Sequence, residues 1–139
     1  MPIFRPEEEP KVRELLDALE RPVELVVALG PEETPLPGAR DIDFGAETVR
    51  VVEELAALSE RVSCRVGADA DRYPAVYVRP EGKEVGVRYD GLPWGYELGS
   101  LVGAVLEAGR REPSLRQESL DALGRLDRDL AVDVFVTPT

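Results

Sequence analysis

A chain of 139 residues suggests one domain, which would bury roughly two-thirds of its unfolded surface. Its 17 Lys+Arg against 28 Asp+Glu give a net charge of -11, a field that repels phosphate backbones and anionic lipid and speaks against nucleic-acid or membrane partners. One cysteine, Cys64, and no histidine exclude an intrachain disulfide, metal sites built from Cys and His, and any catalytic triad that needs imidazole.

The first helix is expected to begin within Pro6–Pro10, where proline suits a first turn, and to run to Glu20. Val12, Leu15, Leu16 and Leu19 form its apolar stripe. Val23–Leu29 reads as a strand, apolar on both faces after Glu24, as a central strand covered on two sides would be. A polar, Pro-rich connection covers 31–45. Ala46–Ser59 reads as a helix with Val49, Val52, Leu55 and Ala56 on one side. Arg61–Val66 is a second strand, parallel to the first, with Val62, Cys64 and Val66 on one face.

After the short connection Gly67–Tyr73, strands Ala75–Arg79 and Glu84–Tyr89 form an antiparallel hairpin around a tight turn. A helix from Trp94 to Arg111 buries Leu98, Leu101, Val102, Val105 and Leu106. Glu112-Pro113 ends it. Ser114 and Gln117 have capping-box spacing for a last helix to Leu126, with Leu120, Leu123 and Leu126 inward. Leu130–Val136 reads as a closing strand in which Val132, Val134 and Val136 alternate with Asp133 and Phe135. No apolar run approaches the ~20 residues that span a bilayer, and the first residues lack an apolar signal core, so the chain is read as cytoplasmic. Asn is absent and Gln117 is the only Gln, a depletion that heat-loving sources and GC-rich genomes both produce.

The order β-α-β-β-β-α after an N-terminal helix resembles the thioredoxin core, and particular segments carry the likeness. Tyr73-Pro74-Ala75-Val76 stands where thioredoxin-like proteins place a cis-proline. Arg88, Tyr89, Gly91, Leu92, Pro93, Gly95 and Glu97 resemble a segment of the two-unit, glutaredoxin-like protein disulfide oxidoreductases. Arg21-Pro22-Val23-Glu24-Leu25 resembles the N-terminal region of the alkyl hydroperoxide reductase flavoprotein. The resemblance implies an α/β, thioredoxin-like domain over 1–112. It implies that 113–139 hold a helix and strand like the start of a second, incomplete unit.

Where catalytic relatives carry C-x-x-C, this chain has Gly30-Pro31-Glu32-Glu33-Thr34, and it stops at Thr139, where the second dithiol of the family would begin. Dithiol exchange needs one thiolate to attack and a second to resolve the mixed disulfide. The expectation is therefore a non-catalytic domain, without cofactor or metal, that scaffolds or docks a dithiol-bearing protein unit. The alternative is a peptide- or protein-binding module using Tyr73 and Pro74, or a homodimer paired through the closing strand. Cys64 is expected to be a buried structural thiol rather than a monothiol nucleophile. Trp94, Tyr96 and Tyr89 are read as packing at the start of a helix. Asp41, Asp43, Asp69 and Asp71 are read as solvated loop charge.

Overall fold

A computed structural model describes residues 2–30 and 42–136. Four strands and four helices follow the order α1 (Glu9–Asp17), β1 (Val23–Ala28), α2 (Phe44–Ala56), β2 (Val62–Val66), β3 (Ala75–Pro80), β4 (Arg88–Asp90), α3 (Tyr96–Ala108) and α4 (Gln117–Gly124). The sheet order is β2-β1-β3-β4, with β1 parallel to β2 and antiparallel to β3, and β3 antiparallel to β4. The parallel pair and the hairpin are those the sequence predicts. The central place of β1 explains why Leu25, Val26, Val27 and Ala28 are all buried.

One face of the sheet carries the core. Val23, Leu25 and Val27 of β1 stand with Val62 of β2 and Val76 and Val78 of β3. Leu16 and Leu19 from α1, Val52 and Leu55 from α2, and Leu101, Val102 and Val105 from α3 close over them. The other face holds the alternate residues. By register, Arg65, Val26, Tyr77 and Arg88 form one row across all four strands. The end of α3 is pinned to the α1–β1 turn: the amides of Glu20 and Arg21 both donate to Gly109 O, at 3.0 and 3.1 Å. Arg21 Nε adds a bond of 2.8 Å to Ala108 O. These bonds satisfy carbonyls that a helix C-terminus leaves without partners.

Several expectations need correction. Leu15 is exposed, so the buried stripe of α1 is narrower than its spacing predicts. The buried side of α2 is Thr48, Val51, Val52 and Leu55 rather than one centred on Val49. Thr48 tolerates burial because its hydroxyl donates to Phe44 O at 2.7 Å. Strand β4 is shorter than Glu84–Tyr89. Gly86 sits at φ +76, and its amide donates to Glu84 Oε1 at 2.7 Å, which bends the chain out of the ladder before Arg88. Ser114 caps no helix. Its amide and hydroxyl both donate to the Glu107 carboxylate at 2.9 Å, and Arg116 takes the N-cap position of α4 without a side-chain bond.

The largest departure is at the C-terminal end. Residues 130–136 form no strand, and α4 buries none of its residues. Leu123, Leu126, Leu130, Val132, Val134, Phe135 and Val136 are all exposed. Alternation alone does not make a strand: without a neighbour, its backbone groups have nothing to pair with.

Candidate functional site

In this fold the chemistry of relatives would sit at the C-terminal end of β1. Here that end is built from backbone and aromatic side chains. β1 finishes at Ala28, Leu29 is exposed, and Gly30 follows. The residues from Pro31 to Asp41 lie outside the described structure. Across from Gly30 is the turn that enters β3. Its Tyr73–Pro74 peptide bond is cis, Pro74 is buried and Tyr73 is 38% exposed.

Gly30 and Tyr73 are in close approach. A Cβ on Gly30 would lie 2.5 Å from Tyr73 Cδ2 and 2.6 Å from its Cγ. Glycine is required here by space. Gly30→Ala is expected to push the Tyr73 ring outward, at a cost of about 1–3 kcal/mol. Tyrosine fluorescence alone would mix several rings, so the readout is the Tyr73 ring resonance together with a urea titration; an unmoved Tyr73 would count against the close approach.

Around this turn, the segment Arg88–Glu97 does structural work that its sequence does not advertise. Gly91, at φ +95, donates its amide to Pro74 O at 2.7 Å, and only a residue free to take that φ serves well there. Tyr89 packs against the core, and burial, with the charge of Glu97, pushes its hydroxyl pKa up. Leu92 O accepts the Trp94 amide at 3.0 Å, and Pro93 is buried. Gly95, at φ +61, begins α3, and the Glu97 amide donates to Trp94 O at 3.2 Å. Trp94 is 40% exposed and lines a shallow hollow of about 210 Å³ with Ile42, Asp43, Ala46 and Glu47 at the start of α2. Tyr96 is 82% exposed, so its reading as a packed aromatic is wrong: the first turn of α3 leaves it in solvent. Asp43 is more than loop charge, since its Oδ1 accepts the Ala46 amide at 2.9 Å and caps α2. Asp69 and Asp71 are engaged as well, through Tyr77 and Arg88. Asp41 lies outside the described residues.

Cys64 is far from this chemistry in kind. It sits mid-strand on β2, an edge of the sheet, paired in register with Leu25. It is half-buried rather than fully buried, because an edge strand has a neighbour on one side only. Burial first, and the charge of Glu53 second, push its thiol pKa up. The thiolate is the nucleophile, so this environment lowers reactivity. Labelling by a disulfide reagent at pH 8 is expected to be about tenfold slower in the folded protein than in urea. Equal rates would restore Cys64 as a candidate nucleophile. Among the described residues no group of three or more His, Cys, Asp or Glu is arranged to hold a metal ion, and no helix is long and apolar enough to cross a membrane.

Sheet order, cis-proline turn and helix placement together define a thioredoxin-like domain, one that holds a single cysteine and therefore no C-x-x-C. The chain is homologous to the N-terminal domain of the alkyl hydroperoxide reductase AhpF and to an archaeal protein disulfide oxidoreductase. It is 29% identical over 129 residues to the AhpF protein of Staphylococcus aureus, a match covering 93% of this chain and 23% of that protein. The Staphylococcus epidermidis protein is 28% identical over the same span. The chain thus spans 23% of the length of these curated relatives. Among solved structures, the NTD_N/C domain of the Enterococcus faecalis reductase superposes with a TM-score of 0.69 at 19% identity, covering 83% of this chain and 57% of that one. A protein disulfide oxidoreductase from Aeropyrum pernix K1 gives a TM-score of 0.67 at 21% identity, over 88% of this chain and 55% of that one. No protein-family model matches the chain.

Proposed function

We propose that this domain is a thioredoxin-like unit without disulfide chemistry of its own, and that it scaffolds or docks a dithiol-bearing unit. The observation that carries this reading is the placement of the only thiol. Cys64 lies on an edge strand with its pKa raised, while the end of β1 carries Gly30 against Tyr73. A lone thiol held protonated cannot attack one disulfide and then resolve the product. Homology to a reductase of which this chain matches less than a quarter supports a role beside other units. So does the exposed apolar set at 123–136, in keeping with a boundary between 1–112 and the start of a second unit at 113–139. The test is insulin reduction with dithiothreitol as electron source. The purified chain should add nothing to the background rate; turnover that disappears in Cys64→Ser would overturn the proposal.

A second reading is a binding module for a peptide or protein partner. It is favoured by the exposed Leu29, Tyr73 and Trp94 around one end of the sheet. The version in which two copies pair through 130–136 predicts a dimer, and light scattering that gives a monomer at high concentration would remove it.

A further inference from the structure

We infer that Arg88 is the positioning residue of the Tyr73–Pro74 turn, acting through Asp71 and Asp90. The connection from β2 to β3 leaves one edge of the sheet, passes β1 and enters β3 on its far side. It does so without a helix. Its two ends are fixed by backbone bonds, Gly67 N to Val27 O at 3.0 Å and Gly91 N to Pro74 O at 2.7 Å. Between them the described bonds run through side chains. Tyr77 Oη donates to Asp69 O at 2.8 Å, and the Ala70 amide donates to Tyr73 Oη at 3.4 Å.

The strongest tie is ionic. Arg88 Nη2 lies 2.6 Å from Asp71 Oδ1, and its Nε lies 2.9 Å from Asp90 Oδ1. Asp90 Oδ2 in turn lies 3.4 Å from Arg72 Nη1. Two charges on the connection, Asp71 and Arg72, are thus cross-paired with two on β4, Arg88 and Asp90, in alternating sign. The side chains of Arg88 and Asp90 are each 29% exposed, so solvent screens this network less than an isolated surface pair. The Arg88 hydrogen bond, foremost among several causes, holds the Asp71 carboxyl below the usual carboxylate range.

A guanidinium is suited to this task because its fork reaches two carboxylates at once, whereas an ammonium is a single point of charge. The consequence falls on Tyr73. Its hydroxyl meets Ala70 inside the held segment and its ring meets Gly30, so the network sets where the ring stands over the end of β1. This holds whether or not Tyr73 contacts a partner, so its failure and that of the docking proposal are separable.

The test is amide hydrogen exchange, site by site, with the Tyr73 ring resonances followed alongside. Arg88→Met and Asp71→Asn should each speed exchange at Ala70 by about fivefold, as loss of roughly one ion pair's worth of local stability would. Both should shift the Tyr73 ring signals and leave the amides of Val76 and Val78 unchanged. The double variant should exchange no faster than the worse single one, and Arg88→Lys should fall between wild type and Arg88→Met. Asp71 is 69% exposed at its side chain, so Asp71→Asn keeps the test meaningful if Arg88→Met folds poorly. Unchanged exchange at Ala70, additive effects in the double variant, or acceleration spread equally through β3 would each overturn the inference.

Discussion

Leu25→Ala is expected to destabilise the domain by about 2–5 kcal/mol, the largest effect of any single truncation proposed here. Leu25 is fully buried in the middle of the central strand, between Cys64 on β2 and Val78 on β3. It belongs to the cluster into which Leu16, Leu55 and Leu101 bring three different helices. Removing its side chain takes away the transfer free energy of three carbons and leaves a cavity. That cavity cannot collapse easily, because β1 is held by strands on both sides. The urea midpoint should fall with the slope unchanged. Leu15→Ala is the control: it has the same chemistry, but Leu15 is 51% exposed, and a change within about 0.5 kcal/mol is expected. Equal losses for the two would mean that the core is not centred on β1.

The contrast between Leu15 and Leu25 also shows what the sequence could reveal. A run that is apolar on both faces announces a central strand, and β1 is one. The i, i+3, i+4, i+7 spacing of α1 finds the helix but overstates its buried stripe, because spacing does not know how far the neighbouring elements reach. On α2 the hydroxyl of Thr48 turns back to Phe44 O, so a residue that reads as polar occupies a buried position. At the C-terminal end, Val132, Val134 and Val136 carry a clear alternation, yet pairing needs a partner that a local pattern does not supply. The candidate site divides in the same way. The cis-proline turn and the absent dithiol are legible because they are local. The approach of Gly30 to Tyr73 and the pairing of Arg88 with Asp71 are not, since each joins residues far apart in the chain through the sheet.

Gly109→Ala should likewise destabilise, by about 1–3 kcal/mol, against the usual sign for such a change. Gly109 has φ -79 and ψ -3, a backbone conformation that alanine adopts without strain. At such a site, replacing glycine ordinarily stabilises by about 0.4–1 kcal/mol, because the unfolded chain loses freedom. Here the space is taken. A Cβ would collide with Leu19 Cδ2 and lie 3.1 Å from Leu19 Cγ and 3.2 Å from its Cβ. Leu19 is 6% exposed and belongs to the core, so it has little room to turn away. The helix end cannot retreat either, since Gly109 O accepts the amides of both Glu20 and Arg21. Relief would have to stretch those bonds or move α1 from α3. A urea titration of Gly109→Ala beside Gly103→Ala separates the two effects. Gly103 is exposed and helical, with nothing within 4 Å of its Cβ position, and should become more stable. If both variants gained stability, the contact between Leu19 and Gly109 would be looser than the structure makes it, and with it the seam that holds the first helix to the third.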